Sequence, residues 1–199
     1  MMPASALILA SASPRRRDLL GRLKVPFATV PAEIAETPRP GEAPRALAER
    51  LAREKAAAVA ARIGKTPPSV VLGSDTIVVI GEEVLGKPRD PEHALTLLRK
   101  LCGRTHRVMT GIAVVESDTG RARSRVIESR VTLRKADEAE LRDYVATGES
   151  LDKAGAYALQ GAGRRFVAGV EGSETNVIGL PLEETLAMLK EAGVEIPAC

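Results

Sequence analysis

An apolar run, Ala6-Leu7-Ile8-Leu9, passes through the small residues Ala10-Ser11-Ala12-Ser13 into Pro14 and then Arg15-Arg16-Arg17-Asp18-Leu19-Leu20. This order reads as a strand, a tight turn and a helix that opens with proline. Proline suits the first helical turn, where no backbone donor is needed. The same turn offers unpaired N–H groups and a partial positive charge. Two hydroxyls and three guanidinium groups at such a point make an oxyanion site, with phosphate the natural ligand. A capped surface helix with solvated arginines is the plainer alternative.

The rest of the chain alternates in the same way. Strands are expected over 5–10, 26–31, 69–80, 106–117 and 122–134. Helices are expected over 15–23, 43–63, 90–101, 137–147 and 181–192, with loop and strand over 156–171. Alternation of this kind predicts an α/β fold. Tight turns at Gly81-Glu82 and Asp118-Thr119-Gly120 predict antiparallel hairpins, so the sheet should be mixed. Pro38-Arg39-Pro40-Gly41 and Pro67-Pro68 read as loops, not boundaries. Residues 1–199 are therefore read as one domain, of a length that supports a real core.

Composition narrows the functional classes. The 29 basic residues are nearly balanced by 26 acidic ones, and aromatics make up 2% of the chain. That is too even a charge, and too few stacking groups, for a nucleic-acid binder. No apolar run reaches membrane-spanning length, and the N-terminal apolar patch precedes its arginines, the reverse of a secretory signal. Cys102 and Cys199 lack metal spacing and read as reduced thiols of a cytoplasmic protein.

Two charged residues stand where apolar ones are expected. On the helix over 43–63, a wheel with Leu47 at zero puts Leu51 at about 40°, Val59 at about 120° and Lys55 between them at about 80°. A lysine in that stripe must either snorkel to solvent or meet an anion. Asp75 interrupts the apolar strand Val70-Val71-Leu72-Gly73-Ser74-Asp75-Thr76-Ile77. A carboxylate there needs a cation, a metal or several N–H donors. Gly73 leaves room for a ligand or another chain segment to approach. Lys87, in the turn Gly86-Lys87-Pro88, adds a cation. His106 is expected to be a structural hydrogen-bonding residue and His93 a surface one, while Tyr157 and Phe166 are expected to pack.

Six segments follow one another in a recognisable order: Leu9-Ala10-Ser11-Ala12-Ser13-Pro14-Arg15-Arg16, Leu51-Ala52-Arg53-Glu54-Lys55-Ala56, Gly73-Ser74-Asp75-Thr76, Gly86-Lys87-Pro88, Gly103-Arg104-Thr105-His106-Arg107-Val108-Met109-Thr110-Gly111, and Asp152-Lys153-Ala154-Gly155-Ala156-Tyr157-Ala158-Leu159-Gln160-Gly161. Together they resemble the Maf, or septum-formation, family of nucleoside triphosphate pyrophosphatases, from about Leu7 to Leu189. Arg15, Thr76 and Gln160 resemble the branch acting on dTTP and UTP. The branch associated with 7-methyl-GTP tends to carry an aromatic, a glutamine and a Ser-Phe-Lys-Ser-Glu type segment in those places. One departure is Glu33-Ile34-Ala35-Glu36, where the family often reads Asp-x-Asp-Glu. Glu36 is kept, but Ala35 removes the middle acid.

The resemblance implies an elongated, two-lobed α/β fold like that of inosine triphosphate pyrophosphatases, with a mixed sheet flanked by helices, a central cleft and often a homodimer. It implies hydrolysis to the monophosphate and pyrophosphate with a divalent cation, Mg²⁺ or Mn²⁺. Asp75 would be the proton acceptor, and Glu36 and Asp75 the metal ligands. Ser11, Arg16, Lys55 and Lys87 would hold phosphate. Arg15, Thr76 and Gln160 would select the base. The implied partner is a nucleoside triphosphate, with neither nucleic acid nor membrane involved. A nucleotide-responsive regulator of septum formation with little hydrolysis is the alternative.

Overall fold

The computed structural model describes residues 6–197. Its elements are β1 (Ala6–Ala10), α1 (Pro14–Gly21), β2 (Phe27–Thr29), α2 (Pro44–Ile63), β3 (Ser69–Ile80), β4 (Glu83–Leu85), α3 (Pro91–Leu101), β5 (Thr105–Glu116), β6 (Ala122–Leu133), α4 (Glu138–Ala146), β7 (Val167–Glu171), α5 (Glu174–Ile178) and α6 (Leu182–Glu191). Short 3₁₀ turns occupy Glu149–Asp152, Ala154–Ala156 and Gly161–Phe166.

The strands form one sheet in the order β2-β1-β3-β5-β6-β7, with β4 paired to β3. β1 runs parallel to β2 and β3. The pairs β3–β4 and β6–β7 are antiparallel. The expected α/β class and mixed sheet are thus observed. The Gly81-Glu82 hairpin is also present, with Ile80 opposite Glu83. β4 enters the sequence reading only as the return strand of the Gly81-Glu82 hairpin, and α5 has no counterpart there. Elements of three and five residues are too short for a hydrophobic period to register. The stretch expected as loop and strand over 156–171 is mostly 3₁₀ turn before β7 begins.

The chain divides into two compact units. The first contains the residues up to Asp75, Thr110–Ile127 and those from Gly179 onward; the second contains Thr76–Met109 and Glu128–Ile178. Strands β3, β5 and β6 each contribute residues to both. Each unit has its own core. In the first, Ile8, Ala10, Val71, Ala113 and Val115 of the sheet meet Ala52, Ala56 and Val59 of α2. In the second, Leu95, Leu98 and Leu101 of α3 pack with Val131, Leu133, Tyr144 and Phe166.

The seating of α2 has a local cause. Ala48, Ala52, Ala56 and Ala60, four apart on one helical edge, are all buried. A Cβ on Gly73 would stand 2.8 Å from the Ala56 nitrogen, and one on Gly111 would stand 3.0 Å from the Glu49 nitrogen. Helix backbone therefore lies directly on strand backbone, which only glycine opposite alanine permits. Of the two occupants that Gly73 left open, the structure shows a chain segment.

The helix ends follow ordinary capping. The Asp90 side chain accepts from the His93 nitrogen at 2.7 Å, with Pro91 opening α3. Asp137 and Glu140 form a reciprocal capping box at α4, satisfying donors that a helix start leaves unpaired.

Candidate active site

The first unit gathers an acid–base cluster around α1, α2 and β3. Ser13 caps α1, its hydroxyl accepting from the Arg16 nitrogen at 3.4 Å. The Ser11 hydroxyl accepts from the Ser13 nitrogen at 3.1 Å and from Arg16 Nη1 at 3.5 Å. Arg16 Nε donates to the Gly179 carbonyl at 2.9 Å. Ser74 donates to the same carbonyl at 3.0 Å. A single carbonyl thus ties the helix that carries Arg16 to the residue before Asp75. Burial lowers the Arg16 pKa, against the opposing pull of Asp75 and Glu36. An arginine nevertheless stays charged at neutral pH, so the cluster retains a fixed cation.

Lys55 is buried, and it meets anions. Its Nζ lies 2.6 Å from Asp75 Oδ1 and 2.6 Å from Glu36 Oε1. Of the two fates the helix wheel allowed, snorkelling is not the one adopted. The close seating of α2 on β3 carries the lysine stem along the sheet to Asp75, which is itself only 6% exposed on a central strand. Glu36 reaches the same ammonium from the loop after β2, with its side chain about half exposed. Ala35, one residue earlier, is exposed and carries no donor.

Thr76, Lys87 and Gln160 belong to the second unit. Thr76 follows Asp75 directly on β3 and is half-buried. Lys87 is exposed in the turn after β4. That turn is fixed by the Gly155 nitrogen, which donates to the Gly86 carbonyl at 3.1 Å. Gln160 is exposed at the start of the Gly161–Phe166 turn. Arg15, half-buried on α1, lies in the first unit with Arg16. Ser11, Arg16, Glu36, Lys55 and Asp75 are therefore brought into one cluster. The specificity candidates are distributed over both units.

The other expectations for single residues are met in the second unit. His106 is 2% exposed and shares a 2.7 Å hydrogen bond with the Tyr157 hydroxyl. Tyr157 and Phe166 are both buried packing residues. His93 lies at the surface, half-buried at the α3 cap, where its Nδ1 accepts from the Arg89 nitrogen at 3.1 Å. Cys102 is a free thiol, and Cys199 lies outside the described residues.

A sequence profile described as Maf-like protein matches residues 6–192. The chain belongs to the Maf family. A dTTP/UTP pyrophosphatase of Myxococcus xanthus is 53% identical over 96% of this chain and 94% of its own length. Proteins with the same name from Anaeromyxobacter dehalogenans and Pelotomaculum thermopropionicum are 50% and 46% identical, covering 98% and 96% of this chain and 97% and 98% of theirs. A nucleoside-triphosphatase, dITP/XTP pyrophosphatase, from Mycobacterium abscessus aligns over 94% of this chain and 97% of its own at a TM-score of 0.41 and 16% identity. That likeness is too distant to support an inference.

A divalent cation fits the donors of this Maf chain. Glu36 and Asp75 offer hard carboxylate oxygens, each 2.6 Å from one ammonium, and these are the donors that would hold such an ion. Among the described residues, no group of three or more His, Cys, Asp or Glu side chains gathers as a metal cage. One or two carboxylates completed by water and phosphate is the coordination that Mg²⁺ favours. Two contacts of the cluster escaped the sequence reading: those of the Gly179 carbonyl and of Ser74. The Gly179 carbonyl lies 163 residues from Arg16 and 105 from Ser74 along the chain, separations without any local pattern.

Proposed function

We propose that this Maf chain hydrolyses dTTP and UTP to the nucleoside monophosphate and pyrophosphate. The observation that carries the reading is the Lys55 ammonium bridging Asp75 and Glu36, inside a chain 45–53% identical to several dTTP/UTP pyrophosphatases. Asp75 accepts a proton from water as the water oxygen bonds to the α-phosphorus. The bond from that phosphorus to the bridging oxygen breaks, and pyrophosphate leaves with the electron pair. A carboxylate can serve as base only if it is oriented toward the water. Lys55 supplies that orientation through the 2.6 Å contact.

The phosphates are held by Ser11, Arg16, Lys55 and Lys87. Contacts of the Arg16, Lys55 and Lys87 cations with phosphate oxygens are charge-assisted, and contacts of this kind are the stronger ones. Positioning of this sort is the main source of catalysis in phosphoryl chemistry. Glu36 and Asp75 would hold Mg²⁺ or Mn²⁺, which when bound neutralises phosphate charge. Base choice falls to Gln160, with Thr76 and Arg15. The Gln160 amide offers one donor and one acceptor to the pattern that thymine and uracil share. Their methyl difference is worth only about 1–3 kcal/mol in a pocket, so one site serves both. Cytosine reverses the group at its fourth position and is disfavoured.

We also read the protein as a cytoplasmic homodimer acting on free nucleotides. Balanced charge and scarce aromatics support free nucleotide over nucleic acid. No helix among the described residues is long and apolar enough to cross a membrane. The dimer rests on family resemblance.

A nucleotide panel with chromatographic separation of products tests the function. dTTP and UTP should have similar kcat/KM, with CTP and purine triphosphates at least about tenfold lower. The products should be monophosphate and pyrophosphate. Diphosphate with inorganic phosphate would refute the pyrophosphatase reading. A preference for 7-methyl-GTP would move the chain to the other branch of the family. Binding without turnover would favour the regulator.

A further inference from the structure

The Gly161–Phe166 turn is a short 3₁₀ helix whose N-cap position is Gln160, and the Gln160 side chain makes no capping hydrogen bond. The start of such a turn presents backbone N–H groups that need acceptors. Here they are supplied from elsewhere. Glu149 Oε2 accepts from the Ala162 nitrogen at 2.9 Å, and Glu149 Oε1 accepts from the Gly163 nitrogen at 3.0 Å. Oε1 also accepts from the Tyr144 hydroxyl at 3.0 Å. The carboxylate is thus fully engaged, and it caps the turn in place of the residue that occupies the cap position.

The surroundings hold Glu149 in place. Its backbone carbonyl accepts from Lys153 Nζ at 2.8 Å. Gly161 has a φ of 77°, and a Cβ there would stand 3.0 Å from Glu149 Cδ. A Cβ on Gly163 would stand 2.7 Å from both the Ala158 carbonyl oxygen and the Tyr144 hydroxyl. The turn is therefore folded onto the carboxylate with no room for a side chain. Tyr144 is fully buried, and its ring meets Phe166 edge-on at 5.3 Å. Burial pushes the Glu149 carboxyl upward, but the two N–H groups and the phenol outweigh it and hold it below the ordinary range.

We propose that Glu149 is a positioning residue for base selection, capping the Gly161–Phe166 turn so that the Gln160 amide is fixed at its edge and left to face the base. Unpaired N–H groups at the start of a turn attract a neighbouring side-chain carbonyl. Glu149 occupies those groups with a stronger acceptor, so the Gln160 amide is not drawn back onto the backbone. The proposal rests on the reading of Gln160 as the group that pairs with the pyrimidine.

Glu149→Gln keeps the side-chain length but sets an amide N–H₂ against a backbone N–H. The measurement is the ratio of kcat/KM for UTP over CTP in the wild type, E149Q, Q160A and the double variant. E149Q should lower the ratio by about tenfold, mainly through the KM for UTP, because the Asp75 cluster is untouched. In the Q160A background, E149Q should change the ratio by less than about twofold, since both changes act on one contact. If Q160A lowers the ratio and E149Q does not, Glu149 is only structural and the proposal fails while the reading of Gln160 stands. If Q160A leaves the ratio unchanged, the reading of Gln160 fails and takes the proposal with it. Should E149Q not fold, Tyr144→Phe removes one donor to the carboxylate and keeps the ring. A fall of about two- to threefold in the same ratio supports the proposal, and an unchanged ratio overturns it.

Discussion

Lys55 shows how far one side chain depends on its partners. An isolated ammonium in an apolar stripe is a burden, and by that logic Lys55→Met should leave the fold intact or slightly more stable. The structure reverses the sign, because the ammonium is paired with Asp75 and Glu36 at 2.6 Å each. Removing it leaves a buried carboxylate without its cation, which costs about 3 kcal/mol, toward the lower end of what broken buried pairs lose since Glu36 is half exposed. Urea unfolding of K55M should show this loss alongside a fall in kcat/KM, and K55M/D75N should recover part of the stability. His106 gives a second prediction at the same scale. Burial lowers its pKa from 6.5 to about 4. The unfolded chain therefore binds a proton that the folded chain refuses, and the stabilisation present above pH 6.5 is lost as the pH falls toward 4. The difference amounts to at most about 3 kcal/mol. Unfolding at pH 7 and pH 4.5 should show a larger acid loss for the wild type than for His106→Gln. Equal losses would mean that the imidazole is not the group responsible.

At the level of elements, the contact of α2 with β3 and β5 decides where Lys55 can reach. The alanine edge of the helix and Gly73 and Gly111 on the strands let the two backbones meet. Gly73→Ala forces a methyl onto the Ala56 nitrogen, so helix and strand must separate. Overpacking of this kind costs about 1–3 kcal/mol. The same separation would lengthen the Lys55–Asp75 contact, so kcat should fall with stability. Gly169→Ala on β7 is the control, because a Cβ there meets nothing within 4 Å. Thermal unfolding and turnover of the two variants check this, and a G73A protein as active as G169A would disconnect the packing from the site. The long elements were legible in the sequence because each carries its own period or cap: the α2 stripe, the α3 start at Asp90-Pro91, and the 12-residue strand β3. β4 was legible only as the return of a hairpin, and α5 and the 3₁₀ turns were not legible, because three to six residues form there to satisfy neighbours and leave no pattern of their own.

Across the whole molecule, the charge cluster is already neutralised by protein groups, which separates the need for metal from the need to fold. Chelation by EDTA should stop hydrolysis and leave the melting temperature within about 2 °C, since the carboxylates keep Lys55 as their partner. Mg²⁺ or Mn²⁺ should restore turnover, and a large drop in melting temperature on chelation would contradict a site closed by Lys55. The sequence by itself determined the α/β class, the order of the long elements and the residue types of the candidate cluster. Those follow from local period, turn chemistry and a run of six segments. It also posed the two questions that matter most, a lysine in an apolar stripe and an aspartate in a buried strand, because a misplaced charge is visible without coordinates. Only the tertiary structure showed that they answer each other. Their side chains are 20 residues apart in the chain and 2.6 Å apart in space. The same holds for the Gly179 carbonyl on Arg16 and for Glu149 beneath the Gln160 turn. A hydrogen bond between distant segments depends on where both backbones finally lie, and no local stretch of sequence carries that information.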